Sequence, residues 1–141
     1  MSTYADTSFL VSLYLADANS ATAAQVMRSQ PEVFLTPLGE VELINALELA
    51  LFRRQFRAAA IRAGQAAFRE DVARGVYSLQ PIPATAYELA GRLARRRSSR
   101  LGTRTLDILH VASALILRAQ PFLTFDDRQR QLAQAEGLGV R

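Results

Sequence analysis

The stretch Gly102 to Leu117, GTRTLDILHVASALIL, narrows the possible folds more than any other part of the chain. After a short polar lead it reads as a helix that is apolar on almost every side, and such a helix has no face to give to water. It predicts an element buried in the middle of a domain, with other layers packed on it. Asp107 sits at its start, and an ionised carboxylate is costly to bury without a partner. One reading makes Asp107 a helix-terminus residue, facing free N–H groups and the positive end of the dipole. The other makes it one of several acids that hold a metal ion. The rest of the chain decides between them.

With 141 residues, half of them hydrophobic and 21% charged, the chain is expected to form one globular domain over residues 1–141. Ile108 to Leu117 is the longest apolar run, and it carries His110 and Ser113 and falls short of a membrane span. No membrane partner is expected. The opening residues do not resemble a secretory signal, and the chain has no cysteine, so a cytoplasmic protein is expected. The lack of cysteine also removes disulfides and thiolate metal sites. A net charge of +4 suits a polyanionic or acidic partner. All of the basic residues are arginine, for which genomic base composition is a sufficient reason. The acids are then the minority whose placement needs explaining.

In chain order, a first strand ends near Asp6, and a helix follows through about Ala16. A second helix spans Asn19 to Gln30. Val33-Phe34-Leu35-Thr36 reads as a buried strand. Pro37 then opens a helix, a position that tolerates proline, from Leu38 to about Arg54. Apolar residues surround that helix, so it too is expected to be largely buried, with Glu40, Glu42 and Glu48 as its acids. Glu42 and Asn45 are three apart and share a face; Glu40 points elsewhere. Gln55 to Tyr77 reads as one long helix, and Ser78 to Pro83 as an extended connector. Ala84 to Arg100 is a further helix ending in the basic cluster Arg95, Arg96, Arg97 and Arg100, either a phosphate contact or plain surface. Phe122 to Phe125 is a compact strand, followed by Asp126 and Asp127. A helix from Gln129 to Ala135, a stop at Gly137 and an edge strand at Leu138 to Val140 complete the chain. Strands alternating with helices predict an α/β fold, a three-layer α/β/α sandwich on a short, mostly parallel sheet.

Asp6 and Asp126 fall at strand ends, and Glu42 and Asp107 near helix starts. In an α/β fold these places converge on one edge of the sheet. Four carboxylates in one cleft repel one another unless cations offset them. With oxygen donors only, the hard cations Mg²⁺ or Mn²⁺ fit best. Such an ion positions and ionises water and clamps a phosphodiester for in-line attack. His110, one turn after Asp107, reads first as a core or near-surface histidine, with a role supporting the metal ligands as the second reading.

The residues Asp6 to Val11 (DTSFLV), Glu42 to Leu47 (ELINAL), Asp107 to Leu115 (DILHVASAL) and Phe122 to Asp126 (FLTFD) resemble a PIN domain. Their order and spacing are similar to those of the VapC-type toxins of bacterial toxin–antitoxin pairs, over essentially the whole chain. The resemblance implies an α/β/α sandwich and a metal-dependent endoribonuclease that cleaves RNA, often tRNA or rRNA. It makes Asp6 and Asp107 the most direct metal ligands, with Glu42 and Asp126 completing the acidic set. It makes Ser8 and Thr124 the hydroxyls that orient carboxylates or water. Glu40 competes with Glu42, which fits the motif better, and Asp127 with Asp126, which the spacing from Thr124 favours. The resemblance further implies a homodimer and a VapB-like antitoxin partner.

Two other classes compete for the same residues. A haloacid-dehalogenase-type phosphatase needs a second aspartate two residues after the first, where this chain has Ser8. A catalytically inactive RNA-binding or protein-interaction module of the same fold would keep the acids as structural residues and use Arg95 to Arg100 on phosphate.

Overall fold

A computed structural model describes all 141 residues. Strands β1 (Ser2–Ala5), β2 (Glu32–Leu35), β3 (Tyr77–Leu79) and β4 (Phe122–Leu123) form one parallel sheet in the order β3-β2-β1-β4. Thr3 is in register with Val33, Val33 with Tyr77, and Tyr4 with Phe122. Moving from β1, the chain builds outward through β2 to β3 and then returns to add β4 on the other side of β1. The boundary between β1 and β4 is therefore where strand order reverses, the place at which parallel sheets open a crevice beyond their carboxyl ends.

Alternation along the short strands feeds two cores. Ala5, Val33, Leu35 and Leu123 point to one face, where they meet Phe9, Leu43, Leu47, Ile61 and Phe68. Tyr4, Phe34 and Phe122 point to the other, where they meet Ile108, Val111, Ala112, Leu93 and Leu132. Helices α1 (Thr7–Tyr14), α2 (Ser20–Arg28), α3 (Pro37–Phe52) and α4 (Ala58–Ala73) cover the first face. Helices α5 (Ala84–Leu93), α7 (Thr105–Ile116) and α8 (Asp127–Ala135) cover the second. This is the three-layer sandwich expected from the alternation of elements. Every residue from Asp107 to Ala114 is buried, as an all-round apolar helix requires. No helix of the chain is long and apolar enough to cross a membrane.

Four local expectations are corrected. The predicted helix from Gln55 to Tyr77 instead begins at Ala58 and ends at Ala73, because Arg54 (φ 56°) turns the chain before it and Gly75 (φ 76°) after it. That releases Tyr77 to Leu79 as β3, a strand of three residues, too short to reveal a period of two. Helix α3 is not buried all round: Val41 is 66% exposed and Phe52 82%, and only the Leu43, Leu47 and Ala50 stripe enters the core. The helix after Pro83 passes at Ala94–Ser98 through a π turn into α6 (Ser99–Leu101), which stops at Gly102 in the left-handed region. The final edge strand reduces to one parallel bridge of Val140 to Phe122, with Thr124 N–H also donating to the Arg141 carbonyl.

One close approach is glycine-dependent. A Cβ on Gly64 would lie 2.5 Å from the backbone oxygen of Tyr14, so α4 reaches the end of α1 only with glycine there.

Candidate active site

Asp6 follows β1 and caps α1. Its extended backbone (φ −84°, ψ 174°) frees the side chain to accept from Phe9 N–H at 3.0 Å. The same oxygen accepts from Ser8 Oγ at 2.7 Å, and the other from Thr124 Oγ1 at 2.6 Å. Asp6 is only 3% exposed, and burial raises its pKa against the opposing pull of these bonds. Thr124 is a hub: its hydroxyl also accepts from Asp126 N–H at 3.0 Å and lies 3.2 Å from Ser8 Oγ. Ser8 Oγ in turn accepts from Phe125 N–H at 2.9 Å. The two hydroxyls thus stitch the ends of β1 and β4 together around one carboxylate.

Asp126 is the corresponding cap of α8, accepting from Gln129 N–H at 2.9 Å. Asp107 is not a cap, since Arg104 occupies that position. It lies in the first turn of α7, where the helix dipole favours negative charge. Its Oδ2 accepts from Arg104 Nε at 2.9 Å, and Arg104 Nη2 stands 3.9 Å from Asp126 Oδ2. Hydrogen bonding to Asp107 raises the Arg104 pKa, so one guanidinium is the positive charge shared between two of the acids. Glu42, half-way out of the core on α3, is bonded to His110 Nε2. Burial pushes the Glu42 pKa up, but hydrogen bonding, that of His110 foremost, and nearby positive charge together hold the carboxyl below the usual range.

These acids line one cleft of about 500 Å³, together with Thr7, Ser8, Ser12, Asp17, Arg104 and Gln129. Of the residues named from sequence, Asp6, Ser8, Glu42, Asp107 and Asp126 are on its walls, and Thr124 stands behind Asp6. Asn45 is exposed and outside the lining, where Ala46 takes its place: the residue four after Glu42 faces inward, not the one three after. Glu40 and Asp127 are also outside it. The basic cluster divides. Arg97 bonds Glu136 at 2.8 Å and the Ala135 carbonyl at 2.9 Å, Arg96 reaches Glu136 at 3.3 Å, and Arg95 and Arg100 are exposed without an ion pair. Asp17, Arg104 and Gln129 were missed in the sequence. Only Arg104 carried a signal, lying one helical turn before Asp107.

The donor set is all oxygen, which suits a hard divalent cation. Two buried oxygens of the same cleft, Thr7 Oγ1 and Gln129 Oε1, have no hydrogen-bond partner. In the side-chain orientations adopted, no three of the acids and His110 converge closely enough to share one ion. The reason is visible in the bonds above: both Asp6 oxygens are engaged, His110 takes Glu42, and Arg104 draws Asp107 and Asp126 to itself.

Comparison with known proteins agrees with this layout. VapC20 of Mycobacterium tuberculosis, described as a sarcin–ricin loop cleaving toxin, superposes with a TM-score of 0.72 at 26% identity, over 99% of this chain and 98% of that one. A chain of FitAcB from Neisseria gonorrhoeae matches with a TM-score of 0.67 at 15% identity, over 99% and 96%. A chain of VapBC2 from Rickettsia felis, solved bound to a promoter DNA fragment, matches with a TM-score of 0.66 at 13%, over 100% and 98%. The last two share the fold. No curated protein matches the chain. The profile of the PIN domain matches residues 3–135, and the chain belongs to the PIN domain family.

Proposed function

We propose that this protein is a metal-dependent endoribonuclease of the VapC toxin type, hydrolysing RNA phosphodiester bonds at the cleft between β1 and β4. One observation carries the reading: Asp6, Glu42, Asp107 and Asp126, from four separate segments, meet on one cleft in a chain of net charge +4. Structural acids are normally paired off one by one at the surface, whereas these crowd together where ligands enter parallel sheets. Asp6 and Asp107 would be the direct ligands of Mg²⁺ or Mn²⁺, with Glu42 and Asp126 completing the set. A bound ion there supplies an ionised water and charge for the scissile phosphate. The chain's own contribution is to hold each carboxylate in place. Ser8 and Thr124 fix Asp6, His110 holds Glu42, and Arg104 pairs with Asp107, its exposed edge open to a phosphate. Arg95 and Arg100, both free, would give the RNA backbone further contacts.

An antitoxin is the second expected partner. An apolar groove of about 740 Å³ runs between α3, α5 and α7, lined by Leu38, Val41, Tyr87, Leu106 and Ile108. It ends beside the acidic cleft, since Glu42, Arg104 and Asp107 lie next to Thr105 and Leu106 in one depression. An antitoxin segment that is apolar and then basic would cover both.

Incubation of the purified protein with structured RNA and Mg²⁺ or Mn²⁺, beside Asp107→Asn and an EDTA control, tests the nuclease reading. Asparagine keeps the size and removes the charge. Cleavage lost with both the variant and the chelator supports it. Salt-sensitive RNA binding without cleavage would instead make the chain a binding module, and cleavage surviving the substitution would remove Asp107 from the metal site.

A further inference from the structure

His110 is 2% exposed, yet it touches the acidic cleft through one nitrogen. Its Nδ1 lies 2.8 Å from the hydroxyl of Tyr4, and its Nε2 is bonded to Glu42 Oε1. Tyr4 is itself locked: it stacks on Phe122 with centroids 5.4 Å apart and meets the His110 ring edge-on at 5.7 Å. Tyr4 is 1% exposed. His110 Nδ1 is its hydrogen-bond partner. With the phenol donating to Nδ1, the ring proton would sit on Nε2, facing a carboxylate that accepts.

We propose that Tyr4 and His110 form a buried relay that positions Glu42, fixing the histidine tautomer so that Nε2–H holds Oε1 and leaves Oε2 free for the cleft. Tyr4 is on β1, two residues before Asp6, and His110 is one turn after Asp107 on α7. The relay therefore ties together the three elements that carry Asp6, Asp107 and Glu42. It also explains which glutamate of α3 serves the site, because His110 reaches Glu42 and Glu40 lies outside the cleft. Hydrogen-bonded outer partners of this kind orient metal ligands, and their loss typically costs about 10–100-fold in metal affinity.

The proposal rests on Glu42 being a metal ligand, so the test separates the two. The chain has one histidine, and ¹⁵N-histidine spectra of the metal-free protein at pH 8 therefore report this ring alone. The expected spectrum has the proton on Nε2 in the wild type and a shift toward the other tautomer in Tyr4→Phe. A proton on Nδ1 in the wild type overturns the relay. Calorimetric titration with Mn²⁺ alone then compares Glu42→Gln, His110→Leu, His110→Gln and the double variant Glu42→Gln/His110→Leu. His110→Leu should weaken binding about tenfold or more. His110→Gln, which keeps an N–H at the same reach, should recover most of it. The double variant should bind no worse than Glu42→Gln, because a residue acting only through another adds nothing once that one is gone. Losses that add in full mean a general structural role and refute the proposal. A normal affinity in His110→Leu beside a weakened Glu42→Gln refutes the relay alone, whereas an unaffected Glu42→Gln removes Glu42 from the metal site and the relay with it. Should His110→Leu not fold, His110→Gln and Tyr4→Phe decide by the same criteria.

Discussion

Thr124→Val isolates what one hydroxyl contributes at this site. Valine has nearly the same shape, and residue 124 is fully buried, so packing changes little. The substitution removes the 2.6 Å bond to Asp6, the acceptor for Asp126 N–H at 3.0 Å, and the 3.2 Å contact with Ser8. A hydrogen bond to a charged group contributes about 1.5–3 kcal/mol, and a part-buried N–H left without an acceptor costs about 1 kcal/mol more. The expected loss at pH 8 is therefore about 2–4 kcal/mol. The sign of its pH dependence follows from Asp6. Burial raises the folded pKa above the ordinary 3.8, and the Thr124 bond works against that rise. An acid with a raised folded pKa binds its proton more tightly in the native state, so stability falls as pH climbs from the unfolded value through the folded one. Valine raises the folded pKa further, which deepens that fall. The cost of the substitution must then be smaller at pH 4 than at pH 8. Urea unfolding in EDTA at both values, with Thr124→Ser as the variant that keeps the hydroxyl, measures it. A loss below about 0.5 kcal/mol, or one equal at both pH values, would refute the assignment of Thr124 as the support of an ionised Asp6.

Two further outcomes follow from the charges at the cleft. Arg104→Ala frees Asp107 and Asp126 from their guanidinium, so Mn²⁺ should bind severalfold more tightly in calorimetry while RNA cleavage slows. Because Arg104 is 68% exposed, global stability should change by less than about 0.5 kcal/mol, and weaker Mn²⁺ binding would show that Arg104 supports the site rather than competing for it. For the antitoxin, inhibition should fall by at least about tenfold when every Arg and Lys of its cleft-facing segment is replaced, since opposite charge counts most where it is desolvated. Full inhibition by that replaced segment would leave the apolar groove as the sole seat of recognition.

Legibility of the fold tracked the length of each pattern. The helix around Asp107 declared itself through Ile108 to Leu117, apolar at eight of its ten positions, and Asp6 and Asp126 through hydroxyl-rich strand ends. Tyr77 to Leu79 gave nothing, because three residues cannot display a period and their partners Val33 to Leu35 lie more than forty positions away. The face of α3 was misjudged for a related reason. Its apolar residues surround the helix, and only tertiary contacts decide that Leu43 and Leu47 go inward while Val41, Ile44 and Phe52 stay out. The choice of Ala46 over Asn45 on the cleft wall is the same kind of decision. Arg104 could be seen as a charge near Asp107, but not as the cation shared by two acids, since Asp126 meets it only after β4 has returned beside β1.

The arrangement also explains how four acids can stand together before any ion arrives. Each is answered by a different neighbour: Asp6 by the Ser8 and Thr124 hydroxyls and a backbone N–H, Glu42 by His110, and Asp107 and Asp126 by Arg104. Thr124 and His110 are buried and Ser8 is half-buried, so the groups they hold have little room to move. Arg104 is exposed on a flexible side chain and is the member that can leave. Of the partners that hold the acids apart, Arg104 is the one that a cation in the cleft would most readily displace. So displaced, the guanidinium would remain tethered one helical turn from Asp107, within reach of a phosphate in the cleft. On this account the weak ion pair of Arg104 and the strong bonds of Asp6 are both required. The first makes the acidic cleft open to exchange, and the second keeps its geometry fixed while exchange occurs.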